Sequence, residues 1–473
     1  MNQIEYIYNT VKDMIVGLEY DRSQLEKYLI VSDNSRDVSR MFVRDTKLSL
    51  CNLIQFMIMP RGASSQSELM TFYDGIGIEA PTKSAFSIKR KLISYKLFPF
   101  LNAELLDRFY RSPLPKRWRG KYIIAVDGTT LTMPRGSRFE ALYGYADLAQ
   151  NRSVRVPTAR AIVLSDVLNH QILDIRLNDF NSYEAEMAYE TIKALPDYIR
   201  DNAVFLFDRG FLSSWFVTVL QNMNIQYVIR CRHNTSNAID EFWDNRLKHQ
   251  DIQIAISRAA WSTKTRARYE KNGITPERTR PVFIHLTKSR LPGGENEVIC
   301  SQVFGTELSA AQSYRMYGLR WEIETAIGIE KNELQIEIFS GYSKNAILQD
   351  IYCKVISYNL CSIAAMVANK KLKVKHNREV SSGKNNNAKT PRAHPGQLRR
   401  YKVNMDMVLF NFRELVIQMV RNRIRLHVLI VRFIRDICRY YEPVEENRKN
   451  PRKFRAYKIH GKYATSTNYA RVI

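Results

Sequence analysis

Cysteine is scarce in this chain and dispersed. The six cysteines (Cys51, Cys231, Cys300, Cys353, Cys361, Cys438) form no C-x-x-C pair. That spacing signals neither a zinc site nor a disulfide framework, and it suits a reducing compartment. Long apolar runs are missing too. No stretch reaches the roughly 18 apolar residues that a membrane-spanning helix needs. The most apolar segment, near Val355 to Ala368, is broken by Ser357, Tyr358, Asn359 and Ser362 and reads as a core helix. Met1-Asn2-Gln3-Ile4-Glu5 lacks a basic start and a clean apolar core, so no secretory signal is expected. No internal repeat is visible. Acidic residues are in deficit: 47 Asp+Glu stand against 72 Lys+Arg, a formal net charge of +25. Such an excess calls for a polyanionic partner, nucleic acid first, with an anionic membrane surface as the rival.

What is present divides by composition and period. At 473 residues the chain exceeds a single core, and roughly two to four domains are expected. Residues 1–115 read as a helical N-terminal DNA-binding domain. Within it, a helix over Ser64 to Tyr73, a turn at Asp74-Gly75-Ile76-Gly77 and a helix from Thr82 carrying Lys83, Lys89, Arg90 and Lys91 outline a helix-turn-helix. Many small helical bundles share that outline. Lys89, Arg90 and Lys91 are the candidate DNA contacts. Ser112 to Arg119 is a basic, proline-broken linker.

The period then shifts to strands. Lys121 to Asp127 is an apolar strand ending in an acid, followed by Gly128. Ala159–Asp166 and Ile172–Leu177 are two further strands of an antiparallel meander. A helix runs from Ser182 to about Leu195. Val204 to Asp208 is a second apolar strand ending in an acid, followed by Arg209-Gly210-Phe211. A helix from Ser213 to Met223 and a strand from Gln226 to Cys231 complete the order β-β-β-α-β-α-β, that of a ribonuclease-H-like α/β core over residues 120–231. Residues 232–305 read as an inserted β-rich subdomain, because a simple connection takes only a few residues. The core resumes as helices over 306–370. Residues 371–473 form a basic connector and a helical C-terminal region, expected to contact DNA and to dimerise.

Asp-Gly after a strand is also ordinary turn chemistry. Two carboxylates on neighbouring strands, however, repel and stay ionised only with a cation between them. Hard oxygen ligands beside phosphate favour Mg²⁺. Two ions are expected, with Mn²⁺ able to substitute. A third acid comes from the helix Tyr317 to Lys331. Placed at about 100° per residue, Tyr317, Arg320, Glu324 and Lys331 fall within about 60° of one another, while Glu322, Glu330 and Glu333 project to the far side. Asp127, Asp208 and Glu324 are therefore the candidate catalytic residues and metal ligands. Such a set performs in-line phosphodiester hydrolysis and strand transfer. Taken alone, the charged stripe could equally be a solvated helix face.

With these residues in view, the sequence resembles the DDE transposases of bacterial insertion sequences, the cut-and-paste family four with a Y-R-E-K signature. The pattern Y-x2-R-x3-E-x6-K is met by Tyr317, Arg320, Glu324 and Lys331. Asp127-Gly128 and Asp208-Arg209-Gly210-Phe211 match the family's two Asp motifs. The resemblance spans about residues 36 to 370. It implies an enzyme that binds double-stranded DNA at terminal inverted repeats, works as a homodimer in a synaptic complex, nicks, forms and resolves a hairpin, and joins the ends to target DNA. It implies that Tyr317, Arg320 and Lys331 hold phosphates near a flipped base. Trp321 is the candidate stacking platform, Trp261 the candidate wedge in the insertion, and Arg209 a further DNA contact. No membrane partner is expected, and the location is the bacterial cytoplasm at the nucleoid. The alternative is a domesticated endonuclease of the same fold that cuts without joining.

Overall fold

The computed structural model describes residues 2–30, 38, 41–43, 46–60, 62, 64–148, 151–254, 263–271, 282–291, 293–303, 308–381, 401–421 and 423–444. Six helices lead: α1 (Asn2–Tyr20), α2 (Arg22–Glu26), α3 (Leu50–Ile58), α4 (Ser65–Ile76), α5 (Lys83–Arg90) and α6 (Leu97–Arg111). Local chemistry sets their ends. Ser49, Ser64 and Thr82 each cap a helix by accepting a backbone N–H three residues on. Gly77 closes α4 in the left-handed region at φ 78°. The helix–turn–helix outline is therefore present in α4 and α5.

Nine strands then build one large mixed sheet: β1 (Tyr122–Thr132), β2 (Tyr145–Leu148), β3 (Asn151–Asp166), β4 (Gln171–Asp179), β5 (Ala203–Phe207), β6 (Gln226–Arg230), β7 (His249–Ile254), β8 (Val282–Arg290) and β9 (Asn296–Gln302). β3 pairs antiparallel with β1 and β4, whereas β1, β5 and β6 run parallel. This is the strand arrangement of a ribonuclease-H-like core. β5 is wholly apolar and buried, and so are Tyr122–Val126 of β1 and Tyr227–Ile229 of β6 beside it, as strand segments covered on both faces must be. Helices between the strands are α7 (Ser137–Tyr143), α8 (Glu184–Lys193), α9 (Asp197–Arg200), α10 (Ser214–Asn222), α11 (Asn237–Asp244) and α12 (Thr263–Lys271).

One sequence expectation changes here, and the 232–305 segment finds its place. β1 does not end at Asp127; its pairing with β3 continues to Thr132 opposite Thr158. Asp127 is thus mid-strand, at the level where the parallel partner stops, since the last β1–β5 pair is Val126 with Phe207. Among the described residues, the strands within 232–305 form no separate sheet. β9 pairs with β6 and carries β8 and β7 with it, so they extend the central sheet. The open edge of β6 offers unpaired backbone groups that β9 satisfies.

The remaining helices are α13 (Ala310–Gly318), α14 (Trp321–Asn332), α15 (Lys344–Ser381), α16 (Met405–Arg421) and α17 (Leu426–Ile437). The expected continuous helix from Tyr317 to Lys331 is interrupted at Leu319–Arg320, after Gly318, a residue of low helix propensity. α15 is long and apolar enough over residues 344–373 to cross a membrane. It is instead packed against α3, α6, β4, α16 and α17 as a core helix.

α15 also accounts for Arg90. This side chain, expected to face DNA, is 2% exposed. It pairs with Asp350 at 3.1 Å and donates to Gln349 at 2.9 Å, the Ala346 carbonyl at 2.9 Å and Ser340 at 2.5 Å. Arg90 is a cross-brace between α5 and α15, because a buried guanidinium must spend its donors inside the protein. Lys89 is half-buried with its ammonium 4.3 Å from the Phe42 ring centre, and Lys91 is exposed.

Candidate active site

Strand register delivers the first two acids. Val126 on β1 stands opposite Phe207 on β5, so the next residues, Asp127 and Asp208, emerge side by side. Asp208 directly follows β5 and opens the short 3-10 turn Arg209–Phe211. β5 goes no further, so β1 has no strand partner on that side beyond Val126. The third acid arrives with α14, which packs on β1 and carries Glu324 in its first turn.

The three carboxylates share one electrostatic field. Burial pushes the Asp127 carboxyl up to about 6, and the Glu324 and Asp208 charges add to the rise against the Arg320 guanidinium and the Gly128 N–H. Arg320 is buried at 6% exposure and interacts with Asp127 and Asp208 as well as Glu324. Its Nη2 donates to Glu324 Oε1 at 2.8 Å, and its Nε is buried with no hydrogen-bond partner. The Tyr317 hydroxyl donates to Asp208 Oδ1 at 3.3 Å, and burial pushes that phenol up to about 12. The Lys331 ammonium donates to Thr129 Oγ1 at 2.6 Å and to the Thr130 carbonyl at 3.0 Å, on the strand that bears Asp127.

Tyr317, Arg320 and Lys331 are thus brought together with the acids. Trp321 begins α14 beside Arg320 and is 55% exposed, and Arg209 is exposed next to Asp208. Lys89, Arg90 and Lys91 lie apart on α5. Trp261 falls outside the described residues. Glu322 is exposed, and Glu330 is buried on the other side of α14, as the wheel requires. Asp166, at the end of β3, is structural: it accepts from Tyr110 at 2.9 Å and Asn169 at 2.7 Å.

Arg230 is the residue the sequence reading missed. β6 is in register with β5, Phe207 opposite Ile229. Arg230 therefore continues the row of Asp127 and Asp208 across three parallel strands. It is held by Glu297 of β9 at 3.2 Å and interacts with Tyr317. Attention to bases as well as acids at the carboxyl ends of apolar strands would have found it, since ligands collect at those ends.

Three carboxylates with no soft donor form a set suited to a hard divalent cation. The chemistry of the donors fits. Their spacing is not that of a coordination sphere: among the described residues no group of three or more His, Cys, Asp or Glu side chains is close enough to hold a metal ion. Arg320 and Tyr317 engage Glu324 and Asp208 instead.

Residues 118–360 match the family model described as a transposase DDE domain. Among solved structures the chain is similar to a piggyBac transposase, seen by cryo-electron microscopy in a synaptic complex with hairpin DNA. The identity is 10% and the TM-score 0.39, over 96% of this chain and 87% of that one. No curated protein matches.

Proposed function

Because the chain belongs to the transposase DDE-domain family, we propose that it carries out metal-dependent cut-and-paste transposition with Asp127, Asp208 and Glu324 as its catalytic acids. The observation that carries this reading is the convergence of those acids from β1, β5 and α14 around Arg320. The three would hold Mg²⁺, with Mn²⁺ as a substitute. When bound, the metal pair supplies an activated water or hydroxyl and stabilises the leaving oxygen.

The chain's own residues do the rest. Arg320, Lys331 and Arg230 line the row of acids and neutralise the phosphates of the strand being cut. Tyr317 orients Asp208 through its hydroxyl. Trp321, exposed at the rim, offers a face on which an unstacked base can rest, so that the strand bends into a hairpin. Arg209 adds a cation at the same rim. The Y-R-E-K spacing supports membership of the bacterial insertion-sequence group, terminal inverted repeats as substrate, and a homodimer holding two ends. Residues 1–115 and 371–473 are the proposed DNA-contacting flanks, with Lys89 and Lys91 as contacts on α5 and the latter flank also dimerising. Trp261 remains the proposed wedge of the 232–305 segment. The proposed site of action is the bacterial cytoplasm at the nucleoid, as the resemblance to insertion-sequence transposases implies.

The test uses a plasmid carrying the coding region with its flanking DNA. Asp127→Ala, Asp208→Ala and Glu324→Ala should each lower Mg²⁺-dependent cleavage at least about 10³-fold, with DNA binding retained. Unchanged cleavage in all three variants sinks the assignment. Joining of precut ends to a target plasmid separates transposition from simple cutting.

A further inference from the structure

Gly128 is not a turn glycine. It lies inside β1 opposite Ile162, and it does not need a positive φ. What it lacks is room. A Cβ on Gly128 would stand 2.5 Å from the carboxylate carbon of Glu184 and 2.7 Å from each of its oxygens. The Glu184 carboxylate therefore lies flat against the strand at the residue after Asp127. Side chains alternate along a strand. Asp127 and Thr129 face α14, and Gly128 faces α8.

Glu184 is itself held. It sits in the first turn of α8, where the helix dipole favours an acid. Arg160 on β3 pairs with it at 2.5 Å, and the same guanidinium donates to the Phe180 carbonyl at 3.1 Å. On the other face, β1 is gripped by Lys331 at Thr129 and Thr130, and Glu337 accepts the Thr132 N–H at 2.9 Å. These side chains act on the stretch of β1 that no longer has β5 beside it. The Gly128 N–H lies where it helps to hold the Asp127 carboxylate charge. A chain of contacts runs from Arg160 through Glu184 and Gly128 to Asp127.

We infer that Glu184 is a positioning residue for the reaction: from the far face of the sheet it fixes Gly128, and through Gly128 the direction of the Asp127 carboxylate. The inference rests on the reading of Asp127 given above. It explains why glycine follows that acid within a regular strand. A larger residue drives Glu184 off, and loss of Glu184 frees the strand.

The experiment compares the full chain with Glu184→Ala, Glu184→Gln, Gly128→Ala and the double variant Gly128→Ala/Glu184→Ala. Plasmid nicking in Mg²⁺ is read as kcat and KM. Mn²⁺ binding without DNA is read by titration calorimetry, and folding by thermal melting. A misplaced reacting group costs up to about 10²-fold. Glu184→Ala and Gly128→Ala should therefore each lower kcat at least about tenfold on that scale, with KM unchanged and Mn²⁺ affinity weakened. Glu184→Gln, which keeps the shape and loses the ion pair, should fall between. The double variant should be no worse than Glu184→Ala, because the clash is gone. If Glu184→Ala does not fold, Glu184→Gln and Gly128→Ala carry the same test. Lowered melting with unchanged kcat and Mn²⁺ affinity overturns the proposal and leaves a structural ion pair. If the unaltered protein nicks in no divalent metal, the assignment of the site fails instead.

Discussion

Arg320, the N-cap of α14, and Glu324, four residues on in its first turn, are joined at 2.8 Å, and the guanidinium is buried at 6% exposure. One cation thereby faces all three acids of the site. Among the described residues its buried Nε has no hydrogen-bond partner, and under the proposed function the guanidinium serves a DNA phosphate.

Under that reading, replacing Arg320 by Ala removes a phosphate donor and leaves Glu324 available to a metal. We expect the variant to nick plasmid DNA, while the yield of hairpinned ends falls at least about tenfold, the cost of losing orientation at the bend. Glu322→Gln is the control on the opposite side of α14 and should cleave normally. Denaturing gels of the ends measure both, and a normal hairpin yield from Arg320→Ala would contradict the role assigned to it.

Arg90 and Lys91 are neighbours in sequence with opposite roles. Breaking the buried Arg90–Asp350 pair leaves a stranded carboxylate, so Arg90→Ala should cost about 3–5 kcal/mol. Lys91→Ala should change stability by less than about 0.5 kcal/mol and weaken DNA binding. Chemical denaturation and salt-dependent binding read the two effects. Equal stability of the two variants would return Arg90 to the surface.

Glu330 is buried on α14, and among the described residues neither carboxylate oxygen has a hydrogen-bond partner. Burial pushes its carboxyl from an ordinary 4.5 up to about 8, only partly offset by the Lys354 charge. The native state thus keeps a proton that the unfolded chain has already lost. Stability from this group is full below about pH 4.5, falls as pH rises toward about 8, and is level above that. Glu330→Gln should flatten the decline across that window. Melting temperatures from pH 5 to 9 test it, and an identical slope in both proteins rules out Glu330 as the source.

The amino-acid order made much of this legible. An apolar strand ending in an acid needs only local pattern to be recognised, and so do the serine and threonine caps. The Y-x2-R-x3-E-x6-K spacing would put four side chains on one stripe of a continuous helix, although the chain breaks that helix at Leu319–Arg320. These are short-range properties, determined by side-chain period and backbone propensity. The positions that eluded pattern depend on what lies across from them. Whether Arg90 meets solvent is decided by α15, roughly 260 residues away in the chain. Whether β1 ends at Asp127 is decided by how far β3 follows it. Arg230 acquires its place only when β6 pairs in register with β5. Gly128 acquires its meaning only when Glu184 is laid against it.

The sequence by itself thus determined which residues carry charge and which strands and helix present them. Tertiary structure alone decided which of those charges are spent inside the protein and which gather around Asp127, Asp208 and Glu324. Burial and pairing are properties of contacts between distant segments, and no local period encodes them.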